Sequence, residues 1–125
     1  MNYTLLANKE GVYNKPDAAS FQAAAANADW KGAPGYYLLL TDQAGKASWP
    51  ITGASFILMY KQQDKPEIAK QALQFFDWSF HNGQKMAEEL DYVPMPEAVV
   101  KLVEETWKTQ MKGADGKPIF MGPAS

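Results

Sequence analysis

The spacing of the apolar residues changes along the chain. In the first half, apolar residues form short runs at 3–7, 36–41 and 56–60, and an extended stretch at 49–52 precedes the last run. Short runs of this kind, bounded by turn residues, are typical of β-strands. The run at 56–60 is apolar or aromatic at every position, which predicts a strand buried on both faces of a sheet covered by helices.

The segments at 15–28 and 64–83 are predicted to be helices. The first opens with a Lys-Pro-Asp sequence, in which the proline suits the first turn, and its Ala-rich composition favours a helix. The second begins with Asp64 as the capping acid, followed by an early proline and a glutamate. It ends at Asn82-Gly83, residues that tolerate a left-handed backbone. Its apolar face consists of Ile68, Ala69, Ala72, Leu73, Phe76 and Phe80.

Two further helices complete the C-terminal half. A short helix is predicted at 84–90, and residues 91–94 are expected to be extended because a residue before proline avoids the helical region. Pro96 opens the last long helix, whose apolar stripe consists of Val99, Val100, Val103, Trp107 and Met111. The polar residues between them are predicted to face water; they are Lys101, Glu104, Glu105 and Lys108. The predicted fold class is α/β, with a helix-rich C-terminal half.

Composition agrees with a small globular domain. The 125 residues are 46% apolar and 13% aromatic, so the chain can bury a usable core in which Trp, Tyr and Phe are prominent. The net charge is -2, and nothing in this balance attracts nucleic acid. We therefore expect no nucleic-acid partner.

Two residue types are missing from the chain. All 12 basic residues are lysines, so the planar guanidinium fork that favours bidentate capture of phosphate is absent. There is no cysteine, which excludes disulfides and thiolate chemistry. We do not expect residues 1–9 to act as a signal peptide, because they lack its charged and apolar regions. No apolar run is long enough to predict a membrane span.

The titratable residues give little indication of catalysis. The single histidine, His81, is predicted to end a helix, where it could stabilise the negative helix end. Asp77, one turn earlier, is its only obvious neighbour, so a structural role is favoured over a catalytic one. Glu88, Glu89 and Asp91 could bind a hard cation, but a solvated helix face accounts for them better. The sequence therefore predicts no catalytic residue, no metal site and no cofactor.

A small polar loop at Thr52, Gly53 and Ser55 is the weak candidate for contact with an anion. Glycine permits close approach, and the two hydroxyls could donate hydrogen bonds. A phosphate-binding loop leads into a helix N-terminus, whereas this loop leads into the apolar run at 56–60. A hinge or a crossing strand is therefore favoured over direct contact with a ligand.

Three aromatic residues of the C-terminal half could form a stacking surface for a sugar or a base. These are Trp78, Tyr92 and Trp107. Aromatic residues at helical spacing are more often part of a core, and no basic groove accompanies them. We therefore predict all three to be core residues.

The chain resembles a known family. The residues that carry the resemblance are WPIT at 49–52, the predicted strand at 56–61, Lys65-Pro66, FFDW at 75–78, Asp91-Tyr92, Pro96, Trp107-Lys108 and GKP at 116–118. They resemble the C-terminal region of the phosphate-specific substrate-binding proteins of high-affinity phosphate ABC importers. The resemblance is dense over 49–120 and weaker back to Tyr3.

The resemblance implies a partial periplasmic-binding-protein type II fold, in which two α/β lobes close around one orthophosphate. Residues 1–58 would belong to one lobe with a crossing strand, 59–120 would form the helical C-terminal part of the other lobe, and 121–125 would be a flexible tail. In the family, phosphate is held by hydroxyls, backbone N–H groups, a carboxylate and an arginine. None of those motifs occurs in this chain.

Two hypotheses about function follow. In the first, the chain is a fragment, or one half of a split protein, of a periplasmic or envelope-associated phosphate receptor. It would not be an enzyme, and it would bind inorganic phosphate and an ABC transporter permease only with a missing N-terminal part. In the second, it is a self-associating interaction domain or a domain-swapped dimer, because a piece of a two-lobed protein leaves apolar surface uncovered.

Overall fold

The computed structural model describes residues 2–122, which fall into two compact units divided between Phe56 and Ile57. Each unit contains at least one helix and one two-stranded sheet. The mixture of helices and strands confirms the predicted α/β class. Of the predicted tail at 121–125, residues 123–125 lie outside the described residues. No helix in the described part of the chain is both long and apolar enough to cross a membrane.

The regular elements are short, except for two helices in the second unit. In chain order they are β1 (Leu6–Ala7), β2 (Tyr13–Asn14), α1 (Ala18–Asn27), a 3-10 turn (Pro34–Tyr36), β3 (Gln62–Gln63), α2 (Pro66–Asn82), α3 (Gln84–Glu89), α4 (Glu97–Gln110) and β4 (Lys112–Gly113). β1 pairs antiparallel with β2, and β3 pairs parallel with β4. Only the end of the predicted strand at 3–7 is therefore a strand.

Asn8, directly after β1, ties together distant parts of the first unit. Its Nδ2 donates to three carbonyls that lie 37 to 40 residues later, and its Oδ1 accepts from two nearby backbone N–H groups. The carbonyls belong to Gly45 (3.1 Å), Lys46 (3.0 Å) and Ser48 (3.3 Å), and the N–H groups to Glu10 and Val12 (3.1 Å each). The buried Asn8 amide is thus well satisfied, as a buried polar group must be.

Asp17 sets the start of α1 through a capping box. The Ser20 N–H donates to Asp17 Oδ1 at 2.9 Å, and the Asp17 N–H donates to Ser20 Oγ at 3.2 Å. This reciprocal pair satisfies two N–H groups at the helix end. The helix therefore begins after Asp17, and Pro16 lies outside the first turn for which it was predicted. Beyond the helix, the buried Trp30 donates from its Nε1 to the carbonyl of Ala25, a buried residue of α1, at 2.7 Å.

The apolar run at 36–41 is not the predicted strand. Within it only Thr41 makes a bridge, antiparallel to Ile51. Tyr37 and Leu39 are exposed, whereas Leu40 is buried. A strand needs a neighbour along its whole length to bond its N–H and C=O groups, and the described residues supply one at a single position.

The prediction of a strand buried on both faces at 56–60 is wrong for this chain. These residues form no strand, and Leu58 and Tyr60 are 93% and 84% exposed. Phe56 and Ile57 are exposed as well, and Met59 alone packs against a core cluster. A strand of this kind needs a paired strand on each side and a covering layer on each face. The described residues provide no paired strand here.

The core of the second unit is built by α2 and the chain after α4. Its buried residues are Ala69, Leu73, Met111, Ile119 and Phe120. Ile68, predicted to lie on the same face of α2, is exposed. The predicted proline in the first turn, Pro66, is present, but Lys65 occupies the capping position and makes no side-chain capping bond. Asp64 is therefore not the cap.

The break between α2 and α3 consists of Gly83. Its φ of -89° and ψ of -3° are right-handed, so the expected left-handed backbone is not the reason for glycine here. A Cβ at this position would lie 2.6 Å from the Ser79 carbonyl oxygen, and glycine permits this close approach. Asp91, which follows α3, was predicted to be extended, but its backbone is left-handed, with φ of 61°.

Trp107 is the one residue of the three predicted core aromatics that packs against the core of the second unit. Its ring lies 5.3 Å from that of Phe120, edge to face, and 5.9 Å from that of Phe80. Trp78 and Tyr92 are exposed, so their prediction as core residues is wrong. Trp78 directly follows a buried position of α2, and neighbours along a helix point about 100° apart.

Candidate functional site

Three titratable side chains meet between α2 and α4. Asp77 and His81 are one turn apart on α2, so they point to the same side of the helix, and Glu104 faces them from α4. His81 Nε2 lies 2.8 Å from Glu104 Oε1 and 4.0 Å from Asp77 Oδ1. Two carboxylates and one imidazole therefore converge on one point of the second unit.

Burial gives this cluster unusual electrostatics. Asp77 and Glu104 are only 6% and 8% exposed, whereas His81 is half exposed. Asp77 Oδ1 has no hydrogen-bond partner among the described residues. Burial raises the pKa of Asp77 above its ordinary value, and the charge of Glu104 raises it further, while His81 and Lys108 oppose the shift. A positive charge at this point would offset the cost of burying two carboxylates close together.

Glu104 is the member of the cluster that the sequence prediction missed, since this residue was expected to face water. It lies four residues after Val100 and seven before Met111, both of which are buried. This spacing puts Glu104 on the buried stripe of α4. The spacing alone could have indicated that Glu104 is buried, but its charge favoured the prediction that it faces water. The sequence indicated only Asp77 as a neighbour of His81, and the partner closer to Nε2 comes from another helix.

The polar loop predicted as a weak ligand contact lies in the first unit. Thr52 is buried, and its Oγ1 donates to the Trp49 carbonyl at 3.1 Å. Gly53 and Ser55 are exposed. The Thr52 hydroxyl is thus engaged within its own turn, and a contact of these residues with phosphate stays a prediction.

The acidic residues after Gly83 lie on the surface. Glu88 and Glu89 belong to the exposed side of α3, and Asp91 follows it, also exposed. Only the Asp77, His81 and Glu104 side chains bring three metal-ligating atoms within 4.8 Å of one another among the residues described. The solvated face predicted for the acidic residues of α3 agrees with their exposure.

Comparison with known proteins identifies clear relatives. The chain is 50% identical over 115 residues to the phosphate-binding protein PstS of Pasteurella multocida. It is 49% identical over 112 residues to the protein of the same name from Xylella fastidiosa, and 49% identical over 107 residues to that of Haemophilus influenzae. These alignments cover 92%, 90% and 86% of the chain. No protein-family model matches the chain.

The chain spans about a third of the length of these relatives, with shares of 33%, 31% and 32%. The similarity confirms the predicted resemblance to phosphate-binding proteins and extends it over most of the chain. The name of the relatives is that of a binding protein and not of an enzyme, in agreement with the expectation from the sequence.

Proposed function

We propose that this chain is the C-terminal portion of a periplasmic or envelope-associated protein that captures inorganic phosphate for the permease of an ABC importer. The observation that carries the proposal is the 50% identity to a phosphate-binding protein over 92% of the chain. In this proposal residues 1–58 and 59–120 contribute to two lobes of a type II periplasmic-binding-protein fold. The remaining two thirds of such a protein supplies the rest of both lobes.

The residues of this chain favour a scaffold role over a role as phosphate ligands. Phosphate capture relies on several donors in a fixed arrangement, often including a bidentate arginine, and the chain contains no arginine. The Thr52 hydroxyl already donates to a carbonyl in its own turn. We therefore infer that the chain alone has no measurable affinity for phosphate.

The exposed run at 56–60 supports the same proposal. Leu58 and Tyr60 place apolar and aromatic side chains in water, although the run is apolar throughout. Exposure of this kind is unfavourable by about 25 cal/mol for each Å² of apolar surface that could be buried. A sheet completed by the rest of a binding protein would cover the run and pair its backbone.

Isothermal titration calorimetry tests the proposal with two proteins. The first is this chain, and the second joins it to the part of the Pasteurella multocida relative that the chain does not match. We expect no heat of binding from phosphate with the chain alone and saturable binding with the fusion. Saturable micromolar binding by the chain alone would contradict the scaffold role. A folded fusion that does not bind phosphate would contradict the assignment to a phosphate receptor.

A second candidate function is self-association, with the run at 56–60 as the contact surface. Its supporting observation is that four of the five side chains of this run are exposed, and uncovered apolar runs without charge promote pairing between chains. Sedimentation velocity over a range of concentrations tests it. Leu58→Lys should abolish a dimer, whereas Leu90→Lys, at another exposed leucine, should not. A monomer at all concentrations would rule out this function, including a domain-swapped dimer.

A further inference from the structure

We propose that Asp77, His81 and Glu104 form a binding site for a divalent transition-metal ion, with zinc as the best fit. The site joins α2 to α4 within the second unit. The sequence alone predicts no metal site, because Glu104 reaches the other two residues only through the packing of the helices.

The chemistry of the three donors suits zinc. An imidazole nitrogen and carboxylate oxygens are ordinary zinc ligands, whereas calcium and magnesium prefer sites made of oxygen alone. The three ligand atoms lie within 4.8 Å of one another. Around a tetrahedral ion with bonds of about 2.0–2.1 Å, they would be about 3.3 Å apart. The 2.8 Å separation between His81 and Glu104 would widen slightly, and the 4.0 Å separation from Asp77 would close.

A second observation points independently to a cation. Asp77 Oδ1 is buried and has no hydrogen-bond partner among the described residues. Leaving a buried carboxylate oxygen without a donor is costly. The contact between His81 Nε2 and Glu104 Oε1 leaves this oxygen without a partner. An ion bound by all three side chains satisfies it and also screens the repulsion between Asp77 and Glu104.

The exposure of the three residues determines the form of the site. The two carboxylates are buried, and the imidazole is half exposed. Three protein ligands leave the fourth position of a tetrahedral zinc ion for water, which the open side at His81 can supply. The ion would mainly link the two helices, because the three side chains at the site all serve as ligands and none is left to act as a nucleophile.

The test is a titration of the metal-free chain with zinc chloride, followed by calorimetry. We expect one ion per chain and a dissociation constant on the order of 1 μM, weaker than a closed four-ligand site. Cobalt(II) should give visible absorption bands in the same stoichiometry. His81→Gln and Asp77→Asn should each weaken binding at least about tenfold, since each removes one of three ligands.

A matched control uses the exposed acidic residues. The double substitution of Glu88→Gln and Glu89→Gln removes two charges on α3 and should leave zinc binding unchanged. Far-UV circular dichroism confirms that each variant is folded. The proposal is overturned if the folded chain binds no zinc, if either ligand variant binds zinc as the parent does, or if the α3 control loses binding to the same extent.

Discussion

Alanine substitutions at Leu73 and Ile68 test which side of α2 is packed against the core and which is exposed to solvent. Both residues belong to the apolar face that the sequence predicts, yet Leu73 is completely buried and Ile68 is 61% exposed. Leu73 packs with Ala69, Met111 and Phe120 in the core of the second unit. Leu73→Ala should therefore leave a cavity, whereas Ile68→Ala should leave only a shorter side chain in water.

The expected magnitudes differ enough to be measured easily. Leu→Ala in a filled core costs about 2.7–5.0 kcal/mol of unfolding free energy. A unit of about 70 residues has a total stability of about 3–10 kcal/mol, so Leu73→Ala removes roughly a quarter of it or more. Ile68→Ala should change stability by less than about 0.5 kcal/mol, and alanine's better helix propensity could make the change favourable.

Urea denaturation followed by far-UV circular dichroism measures both variants against the parent chain. We expect a large drop in the midpoint for Leu73→Ala and almost none for Ile68→Ala, with similar slopes. Equal losses from both variants would show that the open side of α2 is covered in solution. A negligible loss from Leu73→Ala would refute the described core.

Three further outcomes follow from single side chains. Burial and the charge of Glu104 raise the pKa of Asp77 above 3.8, so the folded chain holds this proton more tightly and loses stability as the pH rises through the shifted pKa. In urea denaturation with EDTA, Asp77→Asn should therefore be more stable than the parent, by about 1 kcal/mol at pH 7 and by less at lower pH. A gain in unfolding free energy that does not change with pH would contradict the raised pKa of Asp77. Asn8→Ala removes five hydrogen bonds to the backbone and should cost about 2–4 kcal/mol, measured by thermal unfolding; a loss below about 0.5 kcal/mol would contradict its linking role. Gly83→Ala places a methyl group 2.6 Å from the Ser79 carbonyl oxygen and should cost about 1–3 kcal/mol by the same method, and a stabilised variant would show that the helix junction adjusts freely.

The helices could be predicted from the sequence because their signals are local. Apolar residues at helical spacing indicated α2 and α4, and the bounds agree within a few residues. The errors in the predicted first residues of these helices are small. Asp64 looks like a cap, but the helix begins after Lys65, and Pro96 stands in the capping position of α4 rather than inside it.

The strands could not be predicted reliably because a run of apolar residues does not say which strand will pair with it. The run at 56–60 has the composition of a buried strand, yet the described residues offer it no pairing strand. The candidate metal site could not be predicted for the same reason, since the sequence does not show which segments pack together. The spacing of Asp77 and His81 was visible in the sequence, whereas the approach of Glu104 depends on how two helices pack.

The hydrogen bonds of Asn8 have a consequence for the rate of folding. They join positions 37 to 40 residues apart, so the chain must close a long loop before they form, and loop closure has an entropic cost. The second unit instead contains helices whose bonds are local. Because folding slows as contacts become more distant in sequence, we expect the helices of the second unit to form first. The ordering of the first unit around Asn8 and the pairing of β3 with β4, whose paired residues are 50 positions apart, should follow more slowly.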